Sequence, residues 1–139
     1  MDVLAPRCAG YPGDNLLPPG ELDVTEVPWR IRVPDAVFTA NSLHIMPVSA
    51  MEALFAALAT SAPASCRLAI YGPFNYDGKY TSDSNAGFDQ WLASQSPHSG
   101  IRDFETVEAL AASAGFQLHE DVPMPANNRL LLLRSTTGP

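Results

Sequence analysis

One apolar run that stops abruptly constrains this chain most. Residues Arg67 to Asn85 read RLAIYGPFNYDGKYTSDSN: Leu68 to Tyr71 is apolar and Gly72-Pro73 ends it, which predicts a buried strand finishing in a turn that presents backbone and aromatic groups. Upstream, Met51, Leu54, Phe55 and Leu58 recur at three- and four-residue steps. That spacing predicts a helix laying one apolar stripe on a sheet until about Ser61, with Pro63 preventing its continuation. Ser49 and Glu52 have the spacing of a capping box at its start, and Pro47 lies just before them. Asp35 to Thr39, DAVFT, is β-branched and aromatic and predicts a further strand. Strand, helix and strand with a crossover of this length give two parallel strands joined right-handedly. α/β proteins hold ligands beyond the carboxyl ends of such strands, and there Phe74, Tyr76 and Tyr80 are set among hydroxyl and amide groups.

The rest of the chain adds elements around that unit. Residues 1–20 carry Pro6, Pro12, Pro18 and Pro19 with no sustained periodicity, and predict an irregular arm. Glu21 to Val24 alternates briefly and predicts a short strand closed by Pro28-Trp29. Phe88, Trp91 and Leu92 predict a short amphipathic helix ended by Ser96-Pro97. Asp103 is positioned to cap a longer helix with an apolar face of Phe104, Val107, Leu110, Ala111 and Ala114, stopping at Gly115. Phe116 to Val122 predicts an edge strand, and Leu130 to Leu133 one buried on both faces. The connection between these two is too brief for a crossover, so they pair antiparallel. An α/β domain over 21–134 with a tail at 135–139 follows.

Composition removes several functions. The 139 residues hold eight Lys+Arg against fifteen Asp+Glu, a net charge of −7, and the basic residues are scattered. Neutralising phosphates needs a basic patch, so nucleic acid is not an expected partner. No apolar run approaches the roughly 18 residues of a membrane span, and the start MDVLAPRCAG has no signal-peptide pattern, so no membrane association is expected and the default location is cytoplasmic. Cys8 and Cys66 lack metal-ligand spacing and read as free thiols, with no metal site. No nucleophile elbow, zincin motif or P-loop is present, and nothing in the spacing of Ser84, His98 and Asp103 favours a hydrolase.

Five separate peptides carry a family resemblance. ELDVT, DAVFTANSLHI, YGPFNYDGKYTSDSN with FDQWL, PHSGIRDFE and EDVPMPANNRLLLLR, in that order between about Asn15 and Arg134, resemble the methyltransferase-like protein 26 family of class I methyltransferase-like proteins. The resemblance implies a Rossmann-like sheet ending in an antiparallel hairpin, S-adenosylmethionine as cofactor and methyl transfer to an unknown small molecule. It covers the carboxyl-terminal two-thirds of such a protein. The glycine-rich strand-to-helix turn of that superfamily has no counterpart, because Gly10, Gly13 and Gly20 stand isolated among prolines. A second reading is therefore an isoform or remnant without catalysis, serving as a dimerising or ligand-binding module.

The resemblance also implies a site. Asp23 would hold the cofactor adenine, although a turn or cap is an equal reading of that residue. Asn41, Leu43 and His44 would lie against cofactor or substrate, with His44, Tyr71 or Tyr76 as the catalytic base. Gly72, Pro73, Phe74, Asn75 and Asn85 would meet the substrate, and Arg102 would hold an anionic substrate group. In the superfamily's strand order the missing strands fall between Glu21–Val24 and Asp35–Thr39. The latter is then an exposed apolar edge, and a homodimer through it is expected unless Glu21–Val24 closes the gap.

Overall fold

A computed structural model describes residues 3–136, and its centre is the predicted strand–helix–strand unit. β1 (Ala36–Ala40) runs parallel to β2 (Arg67–Gly72), with α2 (Val48–Ser61) crossing between them. β6 (Asn128–Ser135) pairs antiparallel with the other side of β2, and β5 (Phe116–Met124) pairs antiparallel with β6. The sheet order is β1-β2-β6-β5, a parallel pair closed by an antiparallel hairpin. β3 (Phe74–Asn75) and β4 (Arg102–Asp103) form a separate small parallel pair.

Helices cover one face. α2 buries Met51, Phe55 and Leu58, and α4 (Phe104–Ser113) buries Val107 and Ala111, all against Leu68 and Ile70 of β2 and Leu131 and Leu133 of β6. Side chains alternate across a strand, so Phe38, Ala69, Tyr71, Leu130 and Leu132 fall on the other face, where Phe38 is 67% exposed. The expectation that Leu130–Leu133 is buried on both faces is thus corrected: Leu131 and Leu133 are sealed, while Leu130 and Leu132 are only half-buried. No helix among the described residues lies over them in a way that seals that face.

Other expectations change at the ends of elements. Glu21–Val24 forms no strand: Asp23 Oδ1 accepts from the Thr25 amide at 2.9 Å and the Thr25 hydroxyl at 2.7 Å, and this local turn competes with extension. It does not close the gap beside β1, which stands at the sheet edge as expected. The arm contains one short helix, α1 (Leu4–Ala9). The Ser49–Glu52 capping box is not formed: α2 begins one residue before Ser49, and Pro47 stands at the cap with no side-chain bond. Likewise, Asp103 stands at the cap of α4 without a side-chain bond. The polar stretch after Gly72 is more regular than a loop. Asp77 (φ 52°) and Gly78 (φ 67°) make a tight turn under the Tyr76–Lys79 bridge, as a two-residue hairpin demands. The Ser82 hydroxyl then accepts the Asn85 amide at 3.1 Å, so α3 (Asp83–Gln95) starts a turn earlier than its apolar residues indicate.

Phe55 is among the largest side chains fully sealed between α2 and the sheet. Phe55→Ala is expected to cost about 3–5 kcal/mol in urea unfolding, against less than about 0.5 kcal/mol for Leu17→Ala. Leu17 is 79% exposed, so a large loss there would contradict this account of the core.

Candidate functional site

Three residues converge where β1 and β2 end. Asn41 follows β1 in the left-handed region (φ 54°), a conformation its short amide tolerates, and its backbone N–H donates to Tyr71 O at 2.9 Å. That bend turns the chain towards Gly72, where an added Cβ would stand 3.6 Å from His44 Nδ1 and 4.0 Å from Asn41 Oδ1. Both are ordinary van der Waals distances, so Gly72 lies in direct contact with the two side chains. His44 is 5% exposed and meets the edge of Phe88 of α3, ring centroids 5.5 Å apart at 70°. Phe88 in turn stacks on Trp91 at 5.8 Å, and Trp91 is 55% exposed, so an aromatic row leads from His44 to the surface.

The His44 segment is irregular, and its carbonyls need partners. They find them in residues 99–102. Arg102 Nε donates to Leu43 O at 3.0 Å and Nη2 to Met46 O at 2.6 Å; the Gly100 amide donates to His44 O at 2.9 Å and the Ser99 hydroxyl to Ile45 O at 2.9 Å. Arg102 Nη2 also donates to His98 O at 2.7 Å. Asp89 of α3 holds that clamp in turn, accepting the Ile101 amide at 2.7 Å and the Tyr80 hydroxyl at 2.7 Å. Burial and the nearby Arg102 charge both lower the His44 pKa, so its imidazole is neutral at neutral pH.

The expected site residues separate into groups. Asn41, His44 and Gly72 come together. Tyr71 points by alternation to the opposite face of the sheet and does not converge with His44. Leu43 and Phe74 are core side chains, and Pro73 is buried. Asn85 is buried and spends its Nδ2 on the Thr81 hydroxyl at 3.0 Å and Asn127 O at 3.4 Å. Arg102 is occupied with carbonyls rather than free to hold an anionic substrate. Asp23 lies exposed in its own turn. Asn75 Oδ1 is the only sealed side-chain oxygen or nitrogen without a partner among the described residues. No hydrogen bond engages the His44 ring among the described residues. Sequence reasoning missed Phe88 and Trp91 as an aromatic row and Asp89 as a hub. The spacing of Phe88 and Trp91 was visible, but a helical stripe does not announce which of its members stays outside. No cluster of metal-ligating groups occurs among the described residues. No helix among them is long and apolar enough to cross a membrane.

This arrangement is a Rossmann-like α/β sheet that ends in antiparallel strands, with a polar cluster at its strand ends. Solved structures agree. LaPhzM is 18% identical over 96% of this chain and 39% of its own, with a TM-score of 0.76. An O-methyltransferase family 2 protein from Planctomyces limnophilus, in complex with apigenin, is 20% identical over 77% of this chain and 33% of its own, TM-score 0.67. CalO1, a methyltransferase in calicheamicin biosynthesis with SAH bound, is 16% identical over 75% and 31%, TM-score 0.60. The chain thus spans between about a third and two-fifths of the length of these proteins. Over residues 3–135 it matches, and belongs to, the family described as protein of unknown function DUF938.

Two outcomes follow. The folded state holds the His44 pKa below its ordinary value, so on acidification the unfolded chain takes up the proton first. Stability is therefore expected to be intact above about pH 6.5 and to fall below it, by up to about 1.4 kcal/mol per pH unit until the folded-state pKa is reached. Urea unfolding of wild type and His44→Gln between pH 5 and 7.5 checks this; parallel curves would refute it. Arg102→Lys keeps the charge but not the fork that reaches several carbonyls, and is expected to lose about 1–3 kcal/mol in the same assay.

Proposed function

We propose that this chain carries the acceptor side of an S-adenosylmethionine-dependent methyltransferase site, acting on a small molecule whose nucleophile must shed a proton. The observation that carries this reading is the neutral, nearly buried His44 beside Asn41 and Gly72 at the carboxyl ends of two parallel strands. Open α/β sheets take ligands at that edge. The five peptides similar to the methyltransferase-like protein 26 family, and the methyltransferase fold of the neighbours, support the same class.

S-adenosylmethionine, when bound, supplies the methyl group. The described residues fit only part of it. Asn41 and the bare backbone of Gly72 suit a polar ligand edge, but Asp23 is spent on Thr25 and no glycine-rich strand-to-helix turn forms among residues 3–136. The chemistry assigned to this chain is accordingly confined to the acceptor. His44 takes the proton from an acceptor O–H on its unbonded ring nitrogen, and the neutral form that does so prevails at neutral pH. The clamp from residues 99–102 fixes the backbone that carries His44, and Phe88 packs against its ring, so the base is positioned before the acceptor arrives.

A second reading, a ligand-binding module without catalysis, is favoured by that same lack of a glycine-rich turn. Isothermal titration with S-adenosylmethionine and S-adenosylhomocysteine separates the two. Saturable binding, with a methylation rate that drops about 10²–10⁴-fold in His44→Gln, is the outcome expected of the enzyme. No heat at millimolar ligand assigns the chain to the second reading.

A further inference from the structure

We infer that Asn85 selects the acceptor: its Oδ1 takes a hydrogen bond from a second donor, a hydroxyl or amino group, on the molecule whose first O–H meets His44. The inference rests on the acceptor-side reading proposed above and adds a requirement which that reading leaves open. His44 and Asn85 are the two buried polar side chains among the described residues, at 5% and 4% exposure. Asn85 Nδ2 donates to the Thr81 hydroxyl at 3.0 Å and to Asn127 O at 3.4 Å. A backbone carbonyl can only accept, so the second contact fixes which end of the carboxamide is the nitrogen. No hydrogen bond engages Oδ1 among the described residues, although the Asn85 amide is satisfied by the Ser82 hydroxyl. Leaving a buried carbonyl oxygen bare is costly, and a fold that holds one so firmly in place calls for a partner to explain it.

The two buried polar groups belong to one cluster. Asn85 and Phe88 are three residues apart on α3 and so share a face of it. Phe88 meets the His44 ring edge-on, with centroids 5.5 Å apart. On its other side Asn85 is tied to Asn127, at the tip of the β5–β6 hairpin. β5 is antiparallel to β6 and β6 to β2, so β5 ends at the same edge of the sheet as β2. A ligand seated at that edge meets His44 at one end and Asn85 at the other, with the Phe88 ring between them. Phe88 stacks on Trp91 at 5.8 Å, and this aromatic row suits a planar body. With its nitrogen already spent, the Asn85 carboxamide offers the ligand an acceptor and no donor. It takes O–H or N–H and turns away an ether, a ketone or a carboxylate placed there.

Resorcinol and phenol share a ring and one hydroxyl and differ only in the second donor, so they serve as probes. Each is titrated into the nitrogen-15-labelled chain and followed by NMR at the Trp91 indole N–H and the Asn85 side-chain amide. Resorcinol is expected to bind about 10- to 100-fold more tightly than phenol. In Asn85→Leu that preference should vanish, whereas Thr81→Val, which removes only a partner of Nδ2, should keep it. A merely structural Asn85 would weaken both probes alike and leave their ratio unmoved. Should Asn85→Leu not fold, the wild-type preference together with a larger shift of the Asn85 amide for resorcinol than for phenol decides. Equal affinity of the wild type for the two probes overturns the proposal, as does a preference that survives Asn85→Leu or the failure of either probe to bind. No S-adenosylmethionine is present and no methylation is read, so a wrong cofactor assignment shows in the titration described above and not here.

Discussion

Four consecutive carbonyls, Leu43 to Met46, are capped by residues 99–102, and the site depends on that clamp. The segment leaves β1 in a left-handed bend and must reach α2 without regular structure, while His44 and Leu43 are buried. Burying irregular backbone is costly unless each group is paired. The partners come from beyond α3, so the end of β1, the aromatic row of α3 and the small β3–β4 pair form one unit. Disturbing Asp89 or Arg102 would therefore reach His44 without touching it.

The core was legible because its period was. Met51, Phe55 and Leu58 had one possible use, and the Gly72-Pro73 stop marked where β2 ends. Less legible was everything decided by competition between local hydrogen bonds. Asp23 chose Thr25 over an extended strand, and Ser49 found no use as a cap once Pro47 had started the helix. Arg102 illustrates the limit most plainly. A lone arginine near a polar loop suggests an anion, yet three carbonyls already occupy its donors. Nothing in a linear sequence reports which carbonyls will be left over.

The two faces of the sheet are unequal for the same reason. Helices α2 and α4 lie together on one side, so Leu68, Ile70, Leu131 and Leu133 close into a core, whereas Leu130 and Leu132 have the same chemistry without the cover. Identical leucines in one strand thus serve different ends, set by which neighbour arrives. The Tyr76 hydroxyl, donating to Asp121 at 2.7 Å while Arg129 holds the same carboxylate at 2.8 Å, ties the hairpin to the site's loop and limits how far the two halves can shear.

Cys66 gives the molecule an internal clock. Its thiol is fully sealed, raised in pKa by burial, and donates to Pro34 O at 3.5 Å, directly beneath the start of β1. A thiol reagent can reach it only when the core around it opens. The rate of its modification therefore times local opening around the start of the β1–β2 pair, a motion that a probe of the whole fold would average away.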